Sequence, residues 1–156
     1  LMARIYTPQL READQLRLAG VHPTLIAAIF RILDAMAAYG YPMFVTQGVR
    51  TTAQQAALYA QGRTTPGKIV TNADGVLKRS NHQAHLTDQL GHAVDCAFLD
   101  DPETTKVETW DAAQPWEVYG LMGEYRGLRW GGRWHNPHDP GHLELRLLPV
   151  DVTLTA

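Results

Sequence analysis

The chain of 156 residues has little of what marks several large classes of protein. Cys96 is its one cysteine, which excludes an internal disulfide framework and any cysteine-rich zinc site. Set among apolar neighbours, that thiol reads as a small buried hydrophobe. Net charge is only −2, so no basic face argues for nucleic acid or an anionic membrane. No apolar run approaches the roughly 20 residues that span a bilayer. The N-terminal stretch LMARIYTPQLREADQ lacks the continuous apolar core of a secretory signal, so the expectation is synthesis in a cytoplasm without export. There is no internal repeat and no linker rich in Gly, Ser or Pro. Also absent are the H-E-x-x-H helix of zincins, a G-x-S-x-G elbow, a P-loop and a dinucleotide fingerprint.

What remains is the composition of one globular domain, 45% hydrophobic and 19% charged, large enough for a sizeable core. VHPTLIAAIFRILDAMAAYG reads as a helix, with Pro23 in its first turn and Leu25, Ile29, Ile32, Leu33 and Met36 at helical spacing before Gly40. YPMFVTQGV follows as a short strand. Thr51 or Thr52 then caps a helix, TAQQAALYAQG, closed by Gly62. RTTPGKIVTNADGVLKRS carries turn signals and reads as a surface loop. HAVDCAFL has the composition of a core strand, and AQPWEVYGLMGEYRGL that of a helix ending at Gly127. LRWGGRW and HLELRLL are strand candidates around the turn-rich HNPHDPG. Helices mixed with hairpin-scale strands imply an α+β fold: a small antiparallel sheet with helices packed around it. One domain over 1–156 is expected, with residues 1–20 as an N-terminal extension and 148–156 as a tail.

Six of the seven histidines fall between His82 and His142, which favours a metal or acid–base site. Asp95 sits in an otherwise apolar strand, where a carboxylate must be paired, protonated or bound to a cation. Pairing with Arg50 is one such solution and a metal is another. Asp139 stands three residues before His142, a spacing that can aim a ligand and a free carboxylate into one cleft. It is equally compatible with Asp139 capping the HNPHDPG turn. Imidazoles with one carboxylate and an open position describe a catalytic zinc site.

Three ordered motifs then give a resemblance. QGVRTTAQQAALYAQGRTTPGKIVTNA resembles the arginine segment and G-R-T-x-P-G stretch of the endolysin branch of the M15 zinc peptidases. SNH…GHAVD is similar to that family's S-x-H-x-x-G-x-A-x-D, and GLRWGGRWHNPHDPGHLEL to its W-G-G-x-W followed by D-x-x-H. The resemblance covers about residues 20 to 147. It implies the D-Ala-D-Ala peptidase/hedgehog-like fold and Zn2+ held by His82, Asp95 and His142. It further implies Asp139 as the catalytic carboxylate, Arg50 as substrate holder and oxyanion stabiliser, and Trp130 and Trp134 lining or buttressing the cleft.

The activity implied is hydrolysis of the L-Ala–D-Glu bond of the peptidoglycan stem peptide by a monomeric phage endolysin. Such an enzyme waits in the host cytoplasm and reaches the cell wall once the membrane is permeabilised. A D-Ala-D-Ala carboxypeptidase or dipeptidase on the same site, or a non-catalytic zinc-stabilised wall-binding domain, are the alternatives.

One departure stands out. Eight residues, Gln83 to Leu90, separate His82 from Gly91 where the family pattern has two. His85 therefore competes with His82 as ligand, and the S-x-H context favours His82. The insertion reads as an extended loop at the cleft rim, with His85 and Asp88 exposed. Strand alternation turns His92 away from Asp95 and puts Glu144 on the His142 face, as a residue supporting that histidine or as a paired strand residue. His135 and His138 read as loop residues, and Arg63 and Thr64 have no chemical role legible in the sequence.

Overall fold

Helix α2 (Pro23–Ala38) forms where the apolar spacing places it. Pro23 occupies the first turn, the His22 side chain accepts from the Thr24 N–H, and the chain leaves the helix through Gly40 at φ +94°. Leu25, Ile29, Ile32, Leu33 and Met36 are all fully buried. Together they form the apolar stripe on which the domain is assembled. The computed structural model describes residues 6–99 and 108–146.

The sheet is antiparallel throughout. Its central strand β2 (Ala93–Leu99) pairs on one side with β1 (Met43–Gln47). On the other side it pairs with β5 (His142–Glu144) and, at its far end, with the two-residue β3 (Glu108–Thr109). β4 (Arg129–Trp130) lies outside β5. Alternation sorts the two faces. Val94, Cys96 and Phe98 of β2, Met43 and Val45 of β1, and Leu143 of β5 join the α2 residues in one core. Asp95, His142 and Glu144 are left for the opposite face.

Helix α3 (Thr52–Ala60) begins on a capping box: Thr51 accepts from the Gln54 N–H, and the Gln54 side chain accepts from the Thr51 N–H. Helix α4 (Trp116–Tyr125) ends at Gly127, whose φ of +79° suits glycine. The strand expected over LRWGGRW is shorter than its composition suggests. After Trp130 the chain turns through a 3-10 turn, Gly131–Arg133. The Trp130 indole lies so close to Gly120 and Gly132 that a Cβ at either would sit 2.1 Å from the ring. The strand expected over HLELRLL is regular only for Glu144 and its two predecessors, and its last two residues lie outside the described ones. The expected tail, 148–156, lies outside them too.

The N-terminal stretch read as an extension holds a helix, α1 (Pro8–Arg17), capped by Thr7 and packed against β1. Its anchor is Asp14, fully buried. The Tyr6 hydroxyl donates to this carboxylate, as does the Val45 N–H at 2.9 Å, and Arg17 lies 3.6 Å away. Removing the carboxylate strands two buried donors, each worth about 1–3 kcal/mol when unsatisfied. Asp14→Ala is therefore expected to destabilise the fold by about 2–4 kcal/mol, and Tyr6→Phe by about 1 kcal/mol, in chemical denaturation. Equal, negligible losses in both variants would contradict this anchoring.

Candidate active site and metal centre

The β2–β5 register places Asp95 directly opposite His142. His82 arrives from the long loop that follows α3. Its backbone is fixed locally: the Ser80 hydroxyl accepts from the His82 N–H at 3.2 Å, and the His82 carbonyl accepts from the Arg50 N–H at 2.9 Å. The S-x-H spacing thus has a physical basis in a serine turn that aims the ring.

Three atoms converge. His82 Nε2 and His142 Nδ1 lie 3.2 Å apart, and each is within 3.0–3.2 Å of the Asp95 carboxylate. The outer ring nitrogens decide what these atoms are. His82 Nδ1 faces the Gly48 carbonyl at 2.9 Å, and His142 Nε2 faces Glu144 Oε2 at 2.9 Å. A carbonyl and a carboxylate only accept, so both outer nitrogens carry the hydrogen. In the neutral rings the inner nitrogens are then bare lone pairs pointing at each other and at a carboxylate. A set of three acceptors needs a cation at its centre.

Ligand atoms of a tetrahedral zinc with bonds of about 2.0–2.1 Å stand about 3.3 Å apart, close to the spacing found here. Two imidazoles and one carboxylate suit zinc. Among the described residues, this trio is the one group of three or more such side chains close enough to share an ion.

The carboxylates are tuned apart. Burial pushes the Asp95 carboxyl up, but the His82 charge and hydrogen bonds from His142 and His82 hold it well below the usual range. Asp139 moves the other way: burial, then the Asp95 charge, raise it above an ordinary aspartate. Glu144 is kept low despite burial by hydrogen bonds from His142 and Asn81, and it also pairs with Arg129 at 3.0 Å. Asp139 reaches the cleft on the turn between the 3-10 segment and β5, where Gly131 is indispensable. A Cβ on it would lie 2.4 Å from the Asp139 carbonyl and 2.9 Å from His142 Cβ.

Arg50 is buried beside this group. One N–H donates to Gln55 Oε1 at 2.7 Å, another nitrogen lies 3.6 Å from Asp95, and Nε has no protein partner. Both solutions weighed for Asp95, an arginine and a cation site, are thus present together. The cleft that joins these groups has a volume of about 770 Å³, within the range of ligand sites. Trp134 lies on its wall, its ring 4.8 Å from that of His142. Trp130 does not reach the cleft. It is 4% exposed, donates its indole N–H to the Pro140 carbonyl, and supports the turn from below.

The insertion is not an extended loop. It folds into a turn closed by His85 N–H to the Leu90 carbonyl and Gln89 N–H to the His85 carbonyl. Asp88 is exposed, but His85 is half-buried, stacked 3.8 Å from His92 and 3.0 Å from Asn81 Oδ1. His92 points away from Asp95 and bonds Asp88 at 2.7 Å. His135 and His138 are exposed in their loop. Arg63 acquires a structural role, since its guanidinium donates to the carbonyls of Tyr59 and Thr71 and to Asn72 Oδ1.

Sequence reasoning passed over three amides. Gln55 holds Arg50 and donates to Thr71 Oγ1 and the Ala73 carbonyl. Gln83 accepts from the Ser80 N–H and donates to Gly75 O and Thr52 Oγ1. Asn81 bridges His85 and Glu144. Amides have no spacing signature; only the α3 periodicity, which turns Gln55 inward, hinted at one of them.

Comparison with known proteins agrees with this geometry. An M15 peptidase family model described as D-alanyl-D-alanine carboxypeptidase matches residues 75–145, a span holding His82, Asp95, Asp139 and His142. The peptidoglycan L-alanyl-D-glutamate endopeptidase CwlK of Bacillus subtilis (strain 168) is 29% identical over 125 residues, 80% of this chain and 73% of the relative. The solved structure of the Serratia marcescens L-Ala D-Glu endopeptidase ChiX superposes with a TM-score of 0.53 at 24% identity, covering 85% of this chain and 86% of the other. Over residues 75–145 the chain is thus similar to M15 peptidases. The ChiX likeness also shows the D-Ala-D-Ala peptidase-like fold. Arg50 lies before the matched span and Asp139 within it.

Two results are expected of the purified protein. Zinc content should fall steeply in His82→Ala and stay near wild type in His85→Ala; the reverse pattern would reassign the ligand. Without metal, His142 holds an additional proton: burial lowers its pKa, but hydrogen bonds to Asp95 and Glu144 raise it to about 10. Zinc must displace that proton, so its apparent affinity should rise about tenfold per pH unit below that value, with proton release on binding at pH 7. A pH-independent affinity between pH 6 and 8 would contradict the assignment.

Proposed function

We propose that the protein is a zinc-dependent peptidoglycan endopeptidase that hydrolyses the stem peptide between L-alanine and D-glutamate. The observation that carries this reading is the acceptor-only convergence of His82, Asp95 and His142, with Asp139 and Arg50 beside it in an open cleft. The names of CwlK and ChiX support the bond assignment.

Held by His82, Asp95 and His142, zinc would supply Lewis acidity, lowering the pKa of a water and polarising the scissile carbonyl. Asp139, with its raised pKa, takes a proton from the attacking water and returns it to the departing D-glutamyl amine. Arg50, pre-positioned by Gln55, places donors where negative charge develops on the L-alanyl carbonyl oxygen. His82 and His142 are held in the ligating tautomer by Gly48 and Glu144 and keep their geometry through the cycle. Trp134 forms an aromatic wall for the substrate.

The reading extends to a monomeric phage endolysin that acts on the wall after membrane permeabilisation, supported by the resemblance of residues 62–67, GRTTPG, to the endolysin branch. No helix among the described residues is long and apolar enough to cross a membrane. A D-Ala-D-Ala carboxypeptidase on the same centre is the second reading, favoured by the description of the matching family model.

Asp139→Ala should retain zinc and fold but lose about 10²–10⁴-fold in wall hydrolysis, the usual contribution of a positioned acid–base group. Mass spectrometry of digested muropeptides should show new D-glutamyl amino termini. Release of terminal alanine alone would replace the first reading with the second, and full activity of Asp139→Ala would remove the mechanism.

A further inference from the structure

The cleft does not end at the metal centre. A smaller compartment of about 300 Å³ adjoins it, lined by Arg79, Ser80, Asn81, His85, Leu86 and Thr87. Arg79, Ser80 and Asn81 also line the main cleft, so the two volumes share a wall. The junction begins one residue from His82. The outer wall of the compartment, His85 to Thr87, belongs to the inserted turn.

Its chemistry is one-sided. The lining holds one formal cation, Arg79, and no carboxylate. Lys78 adds a second cation on the main-cleft side. Glu144, which Asn81 bonds, is also engaged with His142 and Arg129, and Asp88 of the inserted turn is engaged with His92. Arg79 is exposed, and the insertion itself fixes it, since one guanidinium N–H donates to the Ala84 carbonyl at 3.0 Å. A guanidinium anchored by one N–H keeps the rest of its donor fork for a planar anion. Thr87 contributes a hydroxyl, and Leu86, 77% exposed, an apolar surface for an aliphatic chain.

We propose that this compartment is a substrate subsite in which Arg79 binds a carboxylate of the stem peptide on the leaving-amine side of the cut. The inference rests on the endopeptidase reading above. In a peptide cut between L-alanine and a γ-linked D-glutamate, the free carboxylates lie beyond the scissile bond, on the glutamyl residue and its successor. The neutral alanyl side offers Arg79 no partner. Occupation of the compartment therefore sets the direction in which the peptide lies across the metal centre, and the inserted turn becomes a determinant of specificity.

The test uses zinc-loaded, full-length protein and two peptides, L-Ala-γ-D-Glu-diaminopimelate and the same peptide with its glutamyl and C-terminal carboxyls amidated. Wild type should favour the free acid by about tenfold or more in kcat/KM, chiefly through KM, the scale of a charge-assisted hydrogen-bonded pair. In Arg79→Gln that ratio should collapse to within about twofold, and Arg79→Lys should retain part of it. An unchanged ratio in Arg79→Gln, or equal loss on both peptides, would overturn the subsite and leave Arg79 as a fastener of Ala84. In either case wild-type cleavage of the free acid would leave the endopeptidase reading standing. Failure of wild type to cut either peptide would overturn both.

Discussion

Three hydrogen-bond acceptors pointed at one another are the constraint on which the site depends. Asp95 and His142 meet because they are register partners across β2 and β5, and His82 is brought to them by a serine turn. A slip of one residue in that pairing would send either ligand into the core. The core prevents the slip, since Val94, Cys96 and Leu143 on the same strands are buried beneath the site. Hydrophobic packing under the sheet is therefore what holds like against like above it.

The outer ring nitrogens make the arrangement specific. Gly48 O and Glu144 hold the outer N–H groups, so that in the neutral rings the lone pairs face inward. Glu144 is itself held by Asn81 and Arg129. Two glycines permit the close approaches this requires: Gly48, where a Cβ would lie 2.2 Å from the Arg17 carbonyl, and Gly131 beneath Asp139. Opposed tuning of Asp95 and Asp139 follows from the same crowding. The carboxylate facing the imidazoles is kept ionised, and its neighbour is raised above an ordinary aspartate by burial and then by that charge.

Much of this was legible in the sequence because it is carried by periodicity and spacing. The α2 stripe, the Thr51 cap and the alternation that separates His92 from Asp95 follow from local rules. The choice of His82 over His85 follows from Ser80, whose hydroxyl meets the His82 backbone. Helix α1 was missed although Thr7–Pro8 is a helix-start signal, because its buried anchor is an aspartate and its apolar face is weak. Of the two roles the motif implied for Trp130, lining or buttressing the cleft, the close packing of its ring on two glycines leaves the second. Of the amides Gln55, Gln83 and Asn81, only Gln55 left a trace in the sequence, through the α3 periodicity. Their partners lie up to 63 residues away and depend on loops whose course no local pattern predicts.

The most direct test of the account is zinc K-edge X-ray absorption on stoichiometrically loaded protein. Two imidazole ligands with oxygen donors completing the shell, at about 2.0–2.2 Å, and one imidazole fewer in His82→Ala, are the predicted result. A third imidazole, a sulfur ligand, or a spectrum unchanged by His82→Ala would contradict the proposal that His82, Asp95 and His142 form the metal centre.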